Sequence, residues 1–436
     1  MTDLYYPLRS LREGHWFKLI CGASFQHLPA IRSLVIAYTL AGADCIDVAA
    51  DPAVIAIAKA ALKLAASFTQ TDDERHPHAL PWLMVSLNDG EDPHFRKAEF
   101  DATACPPACT RPCELICPAD AIVFASALSS TMAPGRGAGV VSDRCYGCGR
   151  CVPICPVQQI ETRSYQSTPA AMVPALLQDG IDAIEIHTQI GHMDEFCRLW
   201  AAIEPWVHTL KLIAISCPDG ESLLDYLWAL YDHIAPLPCP LVWQLDGRPM
   251  SGDIGVGATR AAVKLGQKVV QAGLPGYIQL AGGTNHHTVP KLRALNLLHP
   301  QSLNASTTVL PLSDQPLVAP RQFHEAADDG VASYVAGVAY GSYARTLLMP
   351  ILNQLDAIGL AVAEPAARAL AMAQARSSGA TIHSSLQPSL SSTAERSRSI
   401  GLEEAPDLLW EAVGLARSLV SQLKTFDTRQ RTRLDL

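Results

Sequence analysis

The sequence has few long apolar runs, and this bears on whether any segment could cross a membrane. No run of eighteen apolar residues occurs, and the longest candidate, residues 53–66, is interrupted by Lys59 and Lys63. We therefore expect no membrane span. The first ten residues, Met1–Ser10, are polar and have no apolar stretch behind them. This predicts that no signal peptide is present.

The sequence also lacks the features of two large function classes. The net charge is −9, aromatic residues make up 6% of the chain, and no basic stripe is interleaved with aromatics. Nucleic acid is therefore not an expected partner. No Gly-x-Gly-x-x-Gly fingerprint follows an apolar strand pattern, so a dinucleotide site of the Rossmann type is not predicted.

What the sequence does contain is a large apolar fraction and many cysteines. With 436 residues, 49% of them hydrophobic, the chain is long enough for two or three domains with a substantial core. Eight of its thirteen cysteines fall between Cys105 and Cys155. Disulfide frameworks belong to small secreted domains. The chain is therefore expected to keep its thiols reduced, in the cytoplasm.

The spacing of these cysteines is typical of iron–sulfur proteins. Residues 145–156 read C-x2-C-x2-C-x3-C-P, in which three thiolates hold one 4Fe–4S cube and the fourth cysteine reaches a neighbouring cube. Residues 105–118 also end in Cys-Pro, but their spacing is x3-x3-x3. Structural zinc sites come as separated C-x2-C pairs and fit this pattern less well. The candidate ligands are Cys105, Cys109, Cys113, Cys117, Cys145, Cys148, Cys151 and Cys155.

An internal repeat indicates two clusters. Residues 117–122 and 155–160 both begin with Cys-Pro and end in isoleucine five positions later. The segment resembles a bacterial-type two-cluster ferredoxin, although residues 123–144 form a longer spacer. That resemblance implies one cluster held by Cys105, Cys109, Cys113 and Cys155, and another held by Cys117, Cys145, Cys148 and Cys151.

Strand and helix patterns alternate on both sides of the cysteines. Buried-strand patterns begin near residues 17, 44, 83, 183, 210, 240, 276 and 332, with helical periodicity between them. Eight such units predict a TIM-type (β/α)8 barrel, with a doubly wound sheet as the alternative. The cysteine segment then lies after the third strand, on the face where such barrels keep their active sites.

The predicted domain organisation follows from these patterns. The expected parts are barrel residues 1–100 and 166–350, an inserted ferredoxin-like module at 101–165, a helix at 351–376, a flexible Ser-rich linker at 377–399, and a C-terminal helix and tail at 400–436. The C-terminal helix either covers the barrel or serves as a docking helix for a partner.

Several strand ends carry candidate site residues. Glycine-rich turns after strands seven and eight are typical of a phosphate or flavin site, although glycine also serves any tight turn. The residues concerned are Gly282, Gly283, Gly341 and Ser342. Weaker candidates are the strand-end residues Cys21, His187 and Cys217, the loop residues Asp246 and Asp253, and the pair His286 and His287, for which solvated roles compete with a metal-binding one.

The chain resembles the cyanobacterial light-dependent period family, iron–sulfur proteins linked to circadian clock input. Three stretches carry the resemblance: the Cys-Pro-x-x-Cys-x-Arg-Pro-Cys form within 105–118, the run 145–156, and the opening Trp16–Ser24. The resemblance implies a redox-sensing or electron-transfer protein that contacts clock or redox-signalling proteins. The alternative is an iron–sulfur oxidoreductase with a flavin or phosphorylated substrate in the barrel mouth. Whether the protein is an enzyme stays open.

Overall fold

The computed structural model describes most of the barrel and part of the cysteine segment. The described residues are 7–21, 28–69, 80–90, 96–117, 121–124, 139–141, 144–145, 151–164, 173–174, 176–177, 180–247, 257–299, 333–358 and 400–424. Among them, no helix is long and apolar enough to cross a membrane. The predicted linker at 377–399 and most of the spacer at 123–144 lie outside the described residues.

Eight parallel strands close into a barrel, which confirms the predicted α/β barrel and excludes the doubly wound sheet. Around the barrel the order is β1-β12-β11-β10-β9-β8-β3-β2. The strands are β1 (Trp16–Ile20), β2 (Cys45–Ala49), β3 (Trp82–Asn88), β8 (Ala183–His187), β9 (Leu212–Pro218), β10 (Leu241–Asp246), β11 (Tyr277–Ala281) and β12 (Val335–Tyr340).

The barrel strands are buried on both faces, as parallel strands under helices must be. In β1, Phe17 and Leu19 pack into the core between barrel and helices, whereas Lys18 lies inside the barrel. Closure depends on one glycine at the seam between β1 and β12. A Cβ atom at Gly337 would lie 2.3 Å from the Trp16 carbonyl oxygen, so a larger residue would push the two strands apart.

Helices surround the barrel, and two further short helices lie in the cysteine segment. The described helices are α1 (Pro7–Arg12), α2 (Leu28–Ala41), α3 (Pro52–Thr69), α4 (Pro112–Ile116) and α5 (Cys151–Ile154) of the cysteine segment, α6 (Met193–Ile203), α7 (Leu223–Ile234), α8 (Thr259–Ala272), α9 (Thr288–Ala294), α10 (342–358) and α11 (Pro406–Val420). Asp51 caps α3: its Oδ1 accepts the N–H of Ala53 at 2.8 Å, and Pro52 opens the helix. The helix expected at 351–376 begins earlier, at residue 342, and residues 359–376 lie outside the described part.

The C-terminal helix α11 lies against α2 and covers the barrel. Leu409, Val413 and Leu419 are buried in the main core. Just beyond the helix, Lys424 Nζ lies 2.6 Å from Asp44 Oδ1, and both side chains are buried. This packing favours the covering role over the docking role for this helix.

The cysteine segment leaves the barrel after β3 and returns before β8. Its described strands pair antiparallel, β4 (Arg96–Glu99) with β7 (Glu161–Ser164), and β5 (Ile122–Val123) with β6 (Gly139–Val140). The first pair forms a two-stranded stem. The stem follows the carboxyl end of a barrel strand, so the segment projects from the face of the barrel that carries the strand ends.

Candidate metal centre and barrel mouth

The described cysteines of the inserted segment gather around a small apolar core. Its buried members are Ala98, Cys113, Ala121, Ile122, Phe124, Cys145, Cys151, Cys155 and Ile160, with Cys105 and Cys117 packed against them. Seven of the eight predicted ligands are described, and among them Cys109 is half-buried and interacts electrostatically with Cys105. The eighth, Cys148, lies outside the described residues.

Four of these thiols are electrostatic neighbours. Burial raises the pKa of Cys105, and the nearby Cys109 and Cys155 raise it further. Burial raises the pKa of Cys113 to about 11, with Cys155 and Cys105 adding to the shift. The fold therefore brings together the four cysteines that the ferredoxin resemblance assigns to one cluster.

In both Cys-Pro segments, the backbone N–H of the residue four positions after the cysteine donates to the sulfur of that cysteine. The N–H of Ala121 donates to Cys117 Sγ at 3.3 Å, and the N–H of Gln159 donates to Cys155 Sγ at 3.4 Å. Burial alone would raise the pKa of Cys155, but backbone N–H groups of residues 157–160 hold it below its ordinary value. Donors of this kind stabilise thiolate and tune iron–sulfur potentials.

A single metal ion is a poorer fit to the segment than a cube. Among the described residues, no three His, Cys, Asp or Glu side chains are grouped so as to hold one metal ion. A four-iron cube keeps its ligating sulfurs farther apart than a single ion does, because each thiolate binds a different iron. The buried thiols, their apolar surroundings and the N–H donors to sulfur fit such a group.

A second polar centre, which the apolar strand patterns did not indicate, lies inside the barrel. Lys18 Nζ lies 3.0 Å from Asp47 Oδ2 and pairs with Glu185 on the opposite side of the barrel. Ser86 Oγ donates to Asp47 Oδ1 at 2.6 Å. Gln244 Nε2 donates to Glu185 Oε1 at 2.6 Å. The pKa of Lys18 is raised: burial would lower it, but Asp47 and Glu185 keep the lysine charged.

This network continues to the mouth at the carboxyl ends of the strands. His187 Nε2 lies 3.1 Å from Glu185 Oε1, and 36% of the His187 side chain is exposed. Ser216 Oγ links the two: it donates to Asp246 Oδ2 and accepts the N–H of Gln244 Nε2 at 3.2 Å. Burial raises the pKa of Asp246 to about 6, against the lowering effects of His187 and Ser216.

Comparisons with known proteins match the cysteine segment and the C-terminal part of the barrel. Residues 105–166 match the LdpA Fe-S cluster-binding domain, and residues 175–422 match the Light dependent period A C-terminal domain. The chain is 49% identical over 350 residues to Light dependent period A of Synechococcus elongatus, covering 80% of this chain and 86% of that protein.

The chain belongs to the light dependent period A family. The resemblance found in the cysteine runs is therefore confirmed, and residues 105–166 form the family's Fe–S cluster-binding domain. The C-terminal family domain includes barrel strands β8 to β12 and helix α11. No solved structure matches the chain. The closed barrel is therefore seen in the structure of this chain and is not inferred from a solved relative.

The glycine-rich turns of this family member adopt the backbone conformation that glycine permits. Gly282 and Gly283 have φ of 61° and 87°. Ser342 is the first residue of α10, and its Oγ accepts Arg345 Nη2 at 2.9 Å. At Gly341 a Cβ would make only ordinary contacts with Arg345 and Ile20, so that position does not require glycine.

The other strand-end candidates divide between buried and exposed. Cys21 and Cys217 are buried, and burial raises the pKa of each to about 12, which leaves them as unreactive thiols. His286 Nδ1 lies 2.7 Å from the Tyr343 hydroxyl, and its ring centroid lies 3.7 Å from that of His287. Asp253 lies outside the described residues.

One signal in the sequence could have revealed the barrel centre. Lys18 and Glu185 each stand in the middle of an otherwise apolar strand, flanked by large apolar residues. Residues alternate between the two faces of a strand, so such a charge must point away from its apolar neighbours. In a closed barrel this means that it points inward.

Proposed function

We propose that the cluster-binding domain holds two 4Fe–4S clusters in a ferredoxin-like module of residues 101–165. One cluster is held by Cys105, Cys109, Cys113 and Cys155, and the other by Cys117, Cys145, Cys148 and Cys151. The observation that carries the proposal is the proximity of Cys105, Cys109, Cys113 and Cys155, which come from opposite ends of the segment. This crossing of ligands between motifs is what the C-x2-C-x2-C-x3-C-P spacing requires.

The protein's own groups would set the properties of these clusters. The matched N–H donors of Ala121 and Gln159 stabilise negative charge on Cys117 and Cys155. The guanidinium of Arg111 lies 4.2 Å from the centroid of the Phe124 ring, beside the buried cysteines. When bound, the clusters supply one-electron chemistry, and nearby hydrogen bonds and charge determine how readily an electron is accepted.

Iron analysis tests the cluster proposal. Protein purified without oxygen should contain about eight irons and eight acid-labile sulfides per chain, the sum for two cubes. Cys113→Ser should lose iron, whereas Cys239→Ser, which changes a cysteine buried in the barrel core, should keep it. About two zinc ions and no iron would refute the proposal, as would equal iron in both variants.

We propose that the protein acts as a redox sensor or electron carrier in the light or redox input of a circadian clock. Family membership and the name of the Synechococcus elongatus relative support this role. Partners would then be clock or redox-signalling proteins. Thiolate-bound clusters and free thiols favour the cytoplasm as the compartment.

A complementation experiment tests the role. The chain is expressed in Synechococcus elongatus lacking its own Light dependent period A, and the circadian period is measured at several light intensities. The intact chain should restore the light dependence of the period, and Cys113→Ser should not. If Cys113→Ser restores it fully, the clusters are not needed for this input.

A second candidate is an oxidoreductase whose clusters exchange electrons with a flavin or a phosphorylated substrate in the barrel mouth. The observations that favour it are the positive φ angles of Gly282 and Gly283 and the start of α10 at Ser342. Backbone N–H groups in such turns bind phosphate. Flavin released stoichiometrically from denatured protein would rank this candidate first.

A further inference from the structure

The barrel interior is divided into an apolar layer and a polar layer. At the amino-terminal end, Trp16, Met84, Leu212 and Val242 close the barrel with apolar side chains. Above them the inward positions are polar, and each is at most 2% exposed; they are Lys18, Asp47, Glu185, Ser216, Gln244 and Gln279. Barrels stabilised by packing alone fill these positions with branched apolar residues, and buried ion pairs contribute little net stability. A polar layer under the mouth is therefore better explained by a ligand.

The charges of this layer do not balance. Three carboxyl groups, those of Asp47, Glu185 and Asp246, share one lysine, Lys18, and one histidine, His187. Buried uncompensated charge is costly. The side chains respond as expected, since burial raises the pKa of both Asp47 and Asp246. A cation placed at the mouth would relieve the excess.

Two of these side chains reach the mouth. Asp246 is partly exposed, and Ser216 Oγ bonds to its Oδ2. Within the described part of the chain, no group donates to its second oxygen, Oδ1. His187 contacts Glu185 through Nε2, and 36% of its side chain is exposed. A carboxylate oxygen and a partly exposed imidazole ring therefore lie together at the strand ends.

We propose that the barrel mouth binds a small organic ammonium compound, whose cationic group pairs with Asp246 and lies beside His187. Lys18, Asp47 and Glu185 form the fixed, net-negative floor beneath it. A metal ion is a weaker choice, because no three metal-ligating side chains are suitably grouped among the described residues. An anion is disfavoured at this floor by the carboxylates. The site is separate from the cluster domain and does not depend on its proposed function.

Binding of a cation at this site should depend on pH, because Asp246 can hold a proton in its place. The titratable groups that interact with Asp246 are His187 and Glu185 from β8, Lys18 from β1 and the buried thiol of Cys217 from β9. Below a pH of about 6, Asp246 holds a proton, which a bound cation must displace. Affinity for an ammonium compound should therefore rise with pH through this range. Affinity for an uncharged compound of the same length should not change.

Calorimetry on the cluster-loaded full chain tests the site, with 1,4-diaminobutane as the probe and butane-1,4-diol as its neutral match. The diamine should bind at pH 7.5 and up to about tenfold more weakly at pH 5, which lies about one pH unit below the pKa of Asp246. The diol should not bind. Asp246→Asn should abolish diamine binding. Asp219→Asn, which removes an exposed carboxylate paired with Lys268 at 2.8 Å, should retain it and so controls for general attraction to an acidic protein.

The proposal is overturned if the diol binds as well as the diamine, if Asp246→Asn still binds the diamine, or if binding is equal at both pH values or absent. If Asp246→Asn does not fold, the wild-type chain still decides the question. The His187 ring signals are then followed by NMR as the diamine is added to the wild-type chain. A cation bound beside the ring should shift these signals, and unchanged signals rule the site out.

Discussion

Lys97 in the stem strand β4 forms a buried ion pair with Asp51, the residue that caps α3 of the barrel. Lys97 Nζ lies 2.9 Å from Asp51 Oδ2, and the two side chains are 8% and 1% exposed. Asp51 Oδ1 meanwhile accepts the N–H groups of Ala53 and Val54. One carboxylate therefore joins the stem of the cluster-binding domain to a barrel helix.

Breaking this pair should loosen the junction between stem and barrel. Lys97→Met leaves the Asp51 carboxylate buried without its cation, a change that typically costs about 3–5 kcal/mol. Urea unfolding and hydrogen exchange of β4 and β7 measure the loss. The matched control is Arg163→Gln in the exposed Arg163–Glu99 pair of the same stem, for which less than about 1 kcal/mol is expected. Similar effects of the two variants would contradict a role for Lys97 in the junction.

The stability lost when the buried Lys424–Asp44 ion pair is removed should depend on pH. Burial raises the pKa of Asp44, and Lys424 opposes that shift. In Lys424→Met the carboxylate keeps the Phe17 N–H but loses its cationic partner, so we expect a loss of about 3–5 kcal/mol in the free energy of unfolding when Asp44 is ionised. Below the raised pKa the carboxyl group takes up a proton, and the loss should shrink. Denaturant unfolding at pH 8 and pH 5 checks this, with Arg32→Gln in the partly exposed Arg32–Glu403 pair as the control.

The strands of the barrel were predictable because their apolar runs are long and regularly spaced. The predicted strand near residue 183 is β8, and the one near 332 is β12. The polar layer was missed because a single Lys18 or Glu185 hardly changes an apolar run, and only closure of the sheet brings the two together. The distance between them in the chain is 167 residues, so no local pattern reports their contact.

The gathering of the cysteines was predictable for the opposite reason. Their spacing is local and repeats within the segment, and in both repeats a backbone N–H four residues after the cysteine donates to its sulfur. What spacing could not provide is the ion pair between Lys97 and Asp51, since neither residue belongs to a motif. Ion pairs of this kind depend on the final packing of two elements that are distant in the sequence.

Because the pKa of Asp246 is raised in the folded state, this residue should make the stability of the protein depend on pH. An unfolded aspartate has a pKa near 3.8, and the folded value is about 6. The folded state therefore favours the protonated form, and Asp246 costs stability progressively as pH rises from about 4 to 6. A pKa difference of this size between the folded and unfolded states corresponds to at most about 3 kcal/mol in the free energy of unfolding. Asp246→Asn removes the ionisation, so its free energy of unfolding relative to the wild type should increase over this interval. A difference that stays constant from pH 4 to 7 would show that Asp246 does not titrate in this way.

The last prediction concerns how the clusters contribute to folding of their own domain. The described core of the segment contains nine buried residues, of which four are cysteines. So few apolar side chains cannot stabilise a segment of this length alone. Metal–thiolate bonds must then supply much of its folding free energy.

Removal of iron should therefore loosen residues 105–160 and leave the barrel folded. Hydrogen exchange followed by mass spectrometry compares the iron-loaded protein with protein stripped anaerobically by a chelator. Protection should fall in α4, α5 and the β5–β6 pair, while the strands from β8 to β10 serve as the internal control because their cores contain no cluster ligand. Such a change between order and disorder would alter the surface beside the barrel mouth and give a redox signal a structural output. Equal protection of residues 105–160 in both forms would rule out sensing by this route.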